Sequence, residues 1–121
     1  MVDDFDGCLK LGQVEALEEA YALSDVIINP VYFGTGLKIK SIEALGYAKP
    51  LVTTPIGAEG LEAGANEAFL IADTADEFAQ SIIEVFSDDQ LREDLSNNAY
   101  DFAKQWNQIC LEALMTLLNP P

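Results

Sequence analysis

Apolar residues recur along this chain in two rhythms. Val14, Leu17, Ala20 and Tyr21 fall at helical spacing, with Glu15, Glu18 and Glu19 elsewhere on the circumference, and predict an amphipathic helix over residues 13–23. Upstream, Cys8-Leu9-Lys10-Leu11 is long enough for a short strand at most. Asp25-Val26-Ile27-Ile28-Asn29 is a compact β-branched run stopped by Pro30; apolar on both faces, it predicts a buried parallel strand. The loop Tyr32-Phe33-Gly34-Thr35-Gly36 then gives way to a second helical pattern in Leu37, Ile39, Ile42, Ala44 and Leu45. Residues 46–50 close that helix, because the residue before Pro50 resists the helical region. Leu51-Val52-Thr53-Thr54, stopped by Pro55, predicts a second strand, Gly57-Ala58-Glu59-Gly60 a turn, and Ala68-Phe69-Leu70-Ile71 a third strand.

The remainder reads as helix. Asp73 or Thr74 is placed to cap a helix whose Phe78, Ala79, Ile82, Ile83 and Phe86 share a face, with Asp76 and Glu77 near the positive end of its dipole. Ser87-Asp88-Asp89 restarts a helix carrying Leu91 and Leu95. Ala99, Phe102, Ala103, Trp106, Ile109, Cys110, Ala113, Leu114 and Leu117 continue a stripe that stops at Asn119-Pro120-Pro121. Strands alternating with helices predict an α/β fold with a mainly parallel, doubly wound (Rossmann-like) sheet. Three or four strands make a small sheet for so much helix, so residues 1–121 are expected to form a single unit cut from a larger domain of that kind.

Composition narrows the function. The 121 residues hold 6 Lys or Arg against 21 Asp or Glu, a formal charge of −15, and no histidine. So acidic a chain is repelled by a phosphate backbone, which argues against nucleic acid as a partner. Without imidazole there is no Ser-His or Cys-His relay and no His metal ligand, and the sequence offers no metal cluster. Half the residues are apolar, enough for a core rather than a disordered acidic tail. Cys8 and Cys110 are too few for a disulfide framework and read as small packed thiols. The acidic start Met1-Val2-Asp3-Asp4-Phe5-Asp6 is unlike a signal peptide, and no apolar run approaches the length of a membrane span. A cytoplasmic location is expected, with room for peripheral membrane contact through segments outside this chain.

The segment that carries chemistry is residues 29–45. A glycine-containing loop joins the carboxyl end of a strand to the start of a helix, the crevice where open α/β sheets bind ligands. Gly34 and Gly36 allow close backbone approach, and free amides at residues 36–39 are placed to meet an anion. Three of the six basic residues, Lys38, Lys40 and Lys49, lie within a dozen positions here. Lysines in a first helical turn are disfavoured by up to about 1 kcal/mol unless something negative is bound. A phosphate or pyrophosphate is such a partner; the alternative is that Lys40 pairs with Glu43 one turn on while Lys38 is solvated.

Four runs in succession carry a family resemblance: Ala22-Leu23-Ser24-Asp25-Val26-Ile27-Ile28-Asn29-Pro30; Gly34-Thr35-Gly36-Leu37-Lys38-Ile39-Lys40-Ser41-Ile42-Glu43-Ala44-Leu45; Lys49-Pro50-Leu51-Val52-Thr53-Thr54; and Gly57-Ala58-Glu59-Gly60-Leu61. Together they resemble the C-terminal, nucleotide-sugar-binding half of the retaining, group-1 glycosyltransferases of the GT-B fold. The resemblance extends over residues 9–118, including Asp88-Asp89-Gln90-Leu91-Arg92 and Trp106, where the family often has a helix crossing back to its other domain. It implies glycosyl transfer, of hexosyltransferase type, from a nucleotide diphosphate sugar to an acceptor hydroxyl, with no cofactor and no metal. It places the donor site on Gly34, Thr35, Gly36, Leu37, Lys38 and Glu43. Glu43 matches the family carboxylate that accepts hydrogen bonds from the ribose hydroxyls, a role suited to an acceptor-only group facing a vicinal diol. The family's first Glu, a contact to the donor sugar, falls on Thr35, a departure that bears on the sugar contact but not on the phosphate site. Gly57 and Ala58 match a loop that approaches the donor.

The family's basic pair for the diphosphate, and its acceptor domain, precede the part matched here. The resemblance therefore predicts a truncated donor domain whose natural partner is the N-terminal domain of its parent, and which is inactive in isolation. Two other readings remain. Val2-Asp3-Asp4 and Lys49-Pro50 hint at a phosphoacceptor receiver, but both sit at the wrong places among the predicted elements. The other is a non-catalytic nucleotide-sugar-binding or self-associating module, forming homo-oligomers through an exposed sheet edge.

Overall fold

A computed structural model describes residue 12 and residues 17–119. Cys8-Leu9-Lys10-Leu11, residues 13–16 of the predicted 13–23 helix, and the Asp3-Asp4 pair lie outside the described residues. The chain order is α1 (Leu17–Ala22), β1 (Ile27–Asn29), α2 (Ile39–Gly46), β2 (Leu51–Thr53), a 3-10 turn (Glu62–Gly64), β3 (Leu70–Ile71), α3 (Ala75–Ser87) and α4 (Asp89–Leu118). The strands form one parallel sheet in the order β1-β2-β3, pairing Ile27 with Leu51 and Val52 with Leu70. The fold is mixed α/β, an open parallel sheet with flanking helices, as the alternation of patterns predicts.

Strand alternation divides the core into two layers. On one face Leu51 joins Ala44 and Leu45 of α2, Ala99 of α4, and Ala58, Leu61, Ala68 and Phe69, with Ile27, Ile71, Phe102 and Trp106 packed around them. Phe69 and Phe102 meet edge to face, ring centroids 6.4 Å apart. On the other face Val52, Ala72 and Phe78 of α3 form a smaller cluster with Val26 and Leu70. All three residues of β2 are buried, as a central strand requires.

Local chemistry sets the helix ends. Thr74 caps α3, its hydroxyl accepting from the Glu77 amide at 3.1 Å while the Glu77 carboxylate accepts from the Asp73 amide at 3.2 Å. Asp88 caps α4 through the amides of Gln90 and Leu91. At the end of α2 the amides of Ala48 and Lys49 donate back to Leu45 and Ala44, a Schellman closure with Ala48 at φ 58°.

Four expectations are corrected. The first strand is not buried on both faces: β1 lies at a sheet edge among the described residues, and Ile28, which alternation turns toward the smaller layer, is 48% exposed. In α3 the packed stripe is Phe78, Ile82 and Val85, while Ala79, Ile83 and Phe86 are exposed. The α4 stripe packs through Ala99, Phe102, Ala103 and Trp106, but every residue from 107 to 119 is exposed, including Ile109, Cys110, Leu114 and Leu117. Residues 89–118 form one continuous 30-residue helix, which carries this apolar end out beyond the core. Finally, Lys49 lies apart from the other two lysines. It precedes β2, at the amino-terminal side of the sheet, and donates to the Ser24 carbonyl at 2.9 Å.

Among the described residues no helix is long and apolar enough to cross a membrane.

Candidate functional site

Because the strands run parallel, the loops after β1, β2 and β3 emerge along the same sheet edge. Residues 30–38, 54–61 and 72–74 are these loops. A buried polar network ties the first two together. Asn29 Nδ2 donates to Ser41 Oγ at 2.9 Å, and Ser41 Oγ donates to the Gly57 carbonyl at 2.7 Å. Thr53 Oγ1 donates to the Asn29 carbonyl at 2.9 Å, Thr54 Oγ1 donates to the Val31 carbonyl, and the Gly57 amide donates back to Thr54 Oγ1 at 3.0 Å. Across the edge, the Tyr32 hydroxyl donates to the Asp73 carbonyl at 3.0 Å. No buried side-chain nitrogen or oxygen among the described residues lacks a partner. The network fixes the end of β1, the start of α2 and the turn after β2 as one unit.

Glycine is demanded at two places in that unit. A Cβ on Gly57 would lie 1.9 Å from Thr53 Oγ1, so the turn crosses the strand end with no room for a side chain. Gly34 and Gly36 hold φ of 103° and 84°, a region closed to most side chains. They turn the exposed loop into α2.

The predicted site residues fall as follows. Gly34, Thr35 and Gly36 are exposed on the loop, and Leu37 packs beside Gly60. Lys38 is the N-cap residue of α2 rather than part of its first turn; Lys40 is in that turn and exposed. The helix start thus sits two to three residues later than the spacing implies. No side chain caps α2, in contrast to α3 and α4. Its first turn also lacks any acidic residue, so no side chain of α2 itself offsets the positive end of its dipole.

Lys38 is not a solvated lysine. Its side chain is 15% exposed, and Nζ donates to the Gly36 carbonyl at 2.9 Å and lies 3.8 Å from Glu59 Oε2. The ion pairs among the described residues are this one and Arg92–Asp89, so the Lys40–Glu43 pairing is not formed. Glu43 lies partly buried on α2 toward α1. There Tyr21 and Tyr47 stack with ring centroids 4.5 Å apart. Burial raises the Tyr21 phenol above its ordinary value of 10.0, and the Glu43 carboxylate and then Tyr47 add to the rise. Glu43 therefore lies near α1, while Lys38, at the N-cap of α2, reaches the turn after β2. Neither the Glu59 contact nor the Asn29–Ser41–Gly57 network was foreseen. The polar Asn29 ending an apolar strand and Ser41 among apolar helix positions were the available signals. No group of metal-ligating side chains occurs among the described residues.

A family model described as "Glycosyl transferases group 1" matches residues 3–88, which include the whole loop and α2. A relative from Klebsiella pneumoniae, an "Uncharacterized 44.6 kDa protein in cps region", is 30% identical over 91 residues, 75% of this chain. Those residues are 24% of the relative, so the chain spans about a quarter of its length.

Proposed function

The chain belongs to the group 1 glycosyltransferases, and on that premise we propose that Gly34, Thr35, Gly36, Leu37, Lys38 and Glu43 form part of a donor site for a nucleotide diphosphate sugar. The protein in which this site operates transfers a glycosyl group, of hexose type, to an acceptor hydroxyl. The observation that carries the reading is the glycine loop running from the carboxyl end of β1 into an uncapped helix start beside Lys38. Amides at the start of α2 and the Lys38 ammonium meet the phosphates, and Glu43 accepts from the ribose hydroxyls. Charge develops on the departing diphosphate as the glycosyl bond breaks, so fixed positive groups there lower the barrier. Thr35, standing where the family has a carboxylate, leaves recognition of the sugar to other groups. The groups proposed to act need neither a metal nor a cofactor.

The test is donor binding by Lys38→Ala and Glu43→Gln variants. Each is expected to weaken binding of a nucleotide sugar by roughly tenfold, the scale of one charge-assisted hydrogen bond, with the folded state retained. Unchanged affinity in both would remove these residues from the site.

A second reading, a self-associating module, is favoured by the exposed Ile28 on β1, an edge strand among the described residues. It predicts concentration-dependent sedimentation without nucleotide affinity.

A further inference from the structure

We infer that Glu59 is a positioning residue: with Lys38 it forms an electrostatic clasp between the loop after β1 and the turn after β2, and an incoming diphosphate takes its place. The inference rests on the donor-site reading above and extends it to a residue outside the proposed donor set.

The geometry has three parts. Lys38 Nζ is held firmly by the Gly36 carbonyl at 2.9 Å and loosely by Glu59 Oε2 at 3.8 Å. The first contact folds the lysine back over its own loop, so that a Cβ on Gly34 would lie 3.5 Å from Nζ. The second reaches across to a turn twenty-one positions further on. Behind the clasp the two segments are already in register. Leu37 packs on Gly60, where a Cβ would meet Leu37 Cδ1 at 3.2 Å, and Ser41 binds the Gly57 carbonyl at 2.7 Å.

Charge decides what the clasp does. At 3.8 Å the contact is beyond a good charge-assisted hydrogen bond, and Glu59 is 42% exposed, so the pair is weak and easily exchanged. A diphosphate brings more negative charge than one carboxylate and more acceptor oxygens, and the uncapped amides of α2 reinforce it. Without a ligand Glu59 partly offsets the charge of Lys38, which otherwise adds to the positive end of the uncapped α2. In the occupied site the carboxylate must swing away, which its exposure permits. Glu59 thus sets how tightly and how selectively the site takes an anion, since a singly charged ligand gains less than a diphosphate from displacing it.

Two measurements on the full chain separate this clasp from the donor-site reading. In the ligand-free protein, Glu59→Gln is expected to shift the backbone amides of Gly34 and Gly36 in an NMR spectrum, because Lys38 loses its second partner. Shifts confined to residues 57–61 would overturn the clasp whatever the site binds. In a titration with uridine diphosphate, Glu59→Gln is expected to bind roughly three- to tenfold more tightly than the parent chain, as competition and like-charge repulsion are removed. In a Lys38→Met background the same substitution is expected to change affinity by less than about twofold. Equal or weaker binding by Glu59→Gln, or a gain that persists without Lys38, would contradict the clasp. Uridine diphosphate shifts absent from residues 34–43 in every variant would instead contradict the donor site.

Discussion

Ser41 Oγ donates to the Gly57 carbonyl at 2.7 Å while accepting from Asn29 Nδ2 at 2.9 Å, so one buried hydroxyl joins the end of β1, the body of α2 and the turn after β2. Ser41→Ala leaves an amide hydrogen and a carbonyl without partners in a fully buried place. The expected loss is about 1–3 kcal/mol in a urea denaturation, out of proportion to the removal of one oxygen. A loss below about 0.5 kcal/mol would mean that solvent satisfies both groups.

Gly57 is constrained by the same network. Gly57→Ala places a methyl 1.9 Å from Thr53 Oγ1 and 3.3 Å from the Asn29 carbonyl, and the turn must move. Destabilisation of about 1–3 kcal/mol is expected by overpacking. Combining it with Thr53→Ala removes the closest clash, so the double variant should be more stable than the sum of the two losses. Simple additivity would place the clash elsewhere.

The position of Glu43 is readable through Tyr21. Burial first, then the Glu43 carboxylate, then Tyr47, hold the Tyr21 phenol above 10.0 when folded. A raised phenol value favours the protonated form in the folded state. That contribution to stability is complete below pH 10 and is lost as pH rises through the folded value. Glu43→Gln removes one cause, so the Tyr21 ring signal should titrate closer to 10.0 in the variant. An unmoved titration would place Glu43 away from α1.

The carboxyl half of α4 has no packing partner in the described chain. Residues 107–119 are exposed throughout. Ending the chain at Trp106 should therefore change unfolding free energy by no more than about 0.5 kcal/mol, the scale of surface changes. A larger loss would show that this helix end is held by contacts after all.

How far the sequence revealed these features depends on whether each is local. The loop, α2, the turn and all three strands were legible because glycine, proline and apolar period are local signals. Thr74 was one of two residues named as the α3 cap, and the family runs marked the loop. Which half of the α4 stripe packs was not legible, since periodicity records an apolar face and not the presence of a partner for it. Ile83 and Phe86 were misassigned for a related reason. Only the Phe78–Ile82–Val85 line of their helix is withdrawn from solvent, with Phe78 packed against the smaller core layer. The separation of Lys49 from Lys38 follows from α2 itself, which carries the chain from the carboxyl to the amino side of the sheet. The Lys38–Glu59 contact depends on the turn after β2 folding over α2, a relation between distant segments that no window of sequence contains.

Residues 34–43 are proposed to hold part of a nucleotide-sugar donor. A titration of the isotope-labelled chain with a nucleoside diphosphate at low salt, followed by backbone amide shifts, tests it most directly. With a net charge of −15 opposing the anion and only a few contacts available, binding is expected in the millimolar range, on the order of −4 kcal/mol. Shifts are expected to concentrate on residues 34–43 and 57–60 and to disappear in Glu43→Ala. Shifts concentrated elsewhere, or binding that survives Glu43→Ala undiminished, would contradict it.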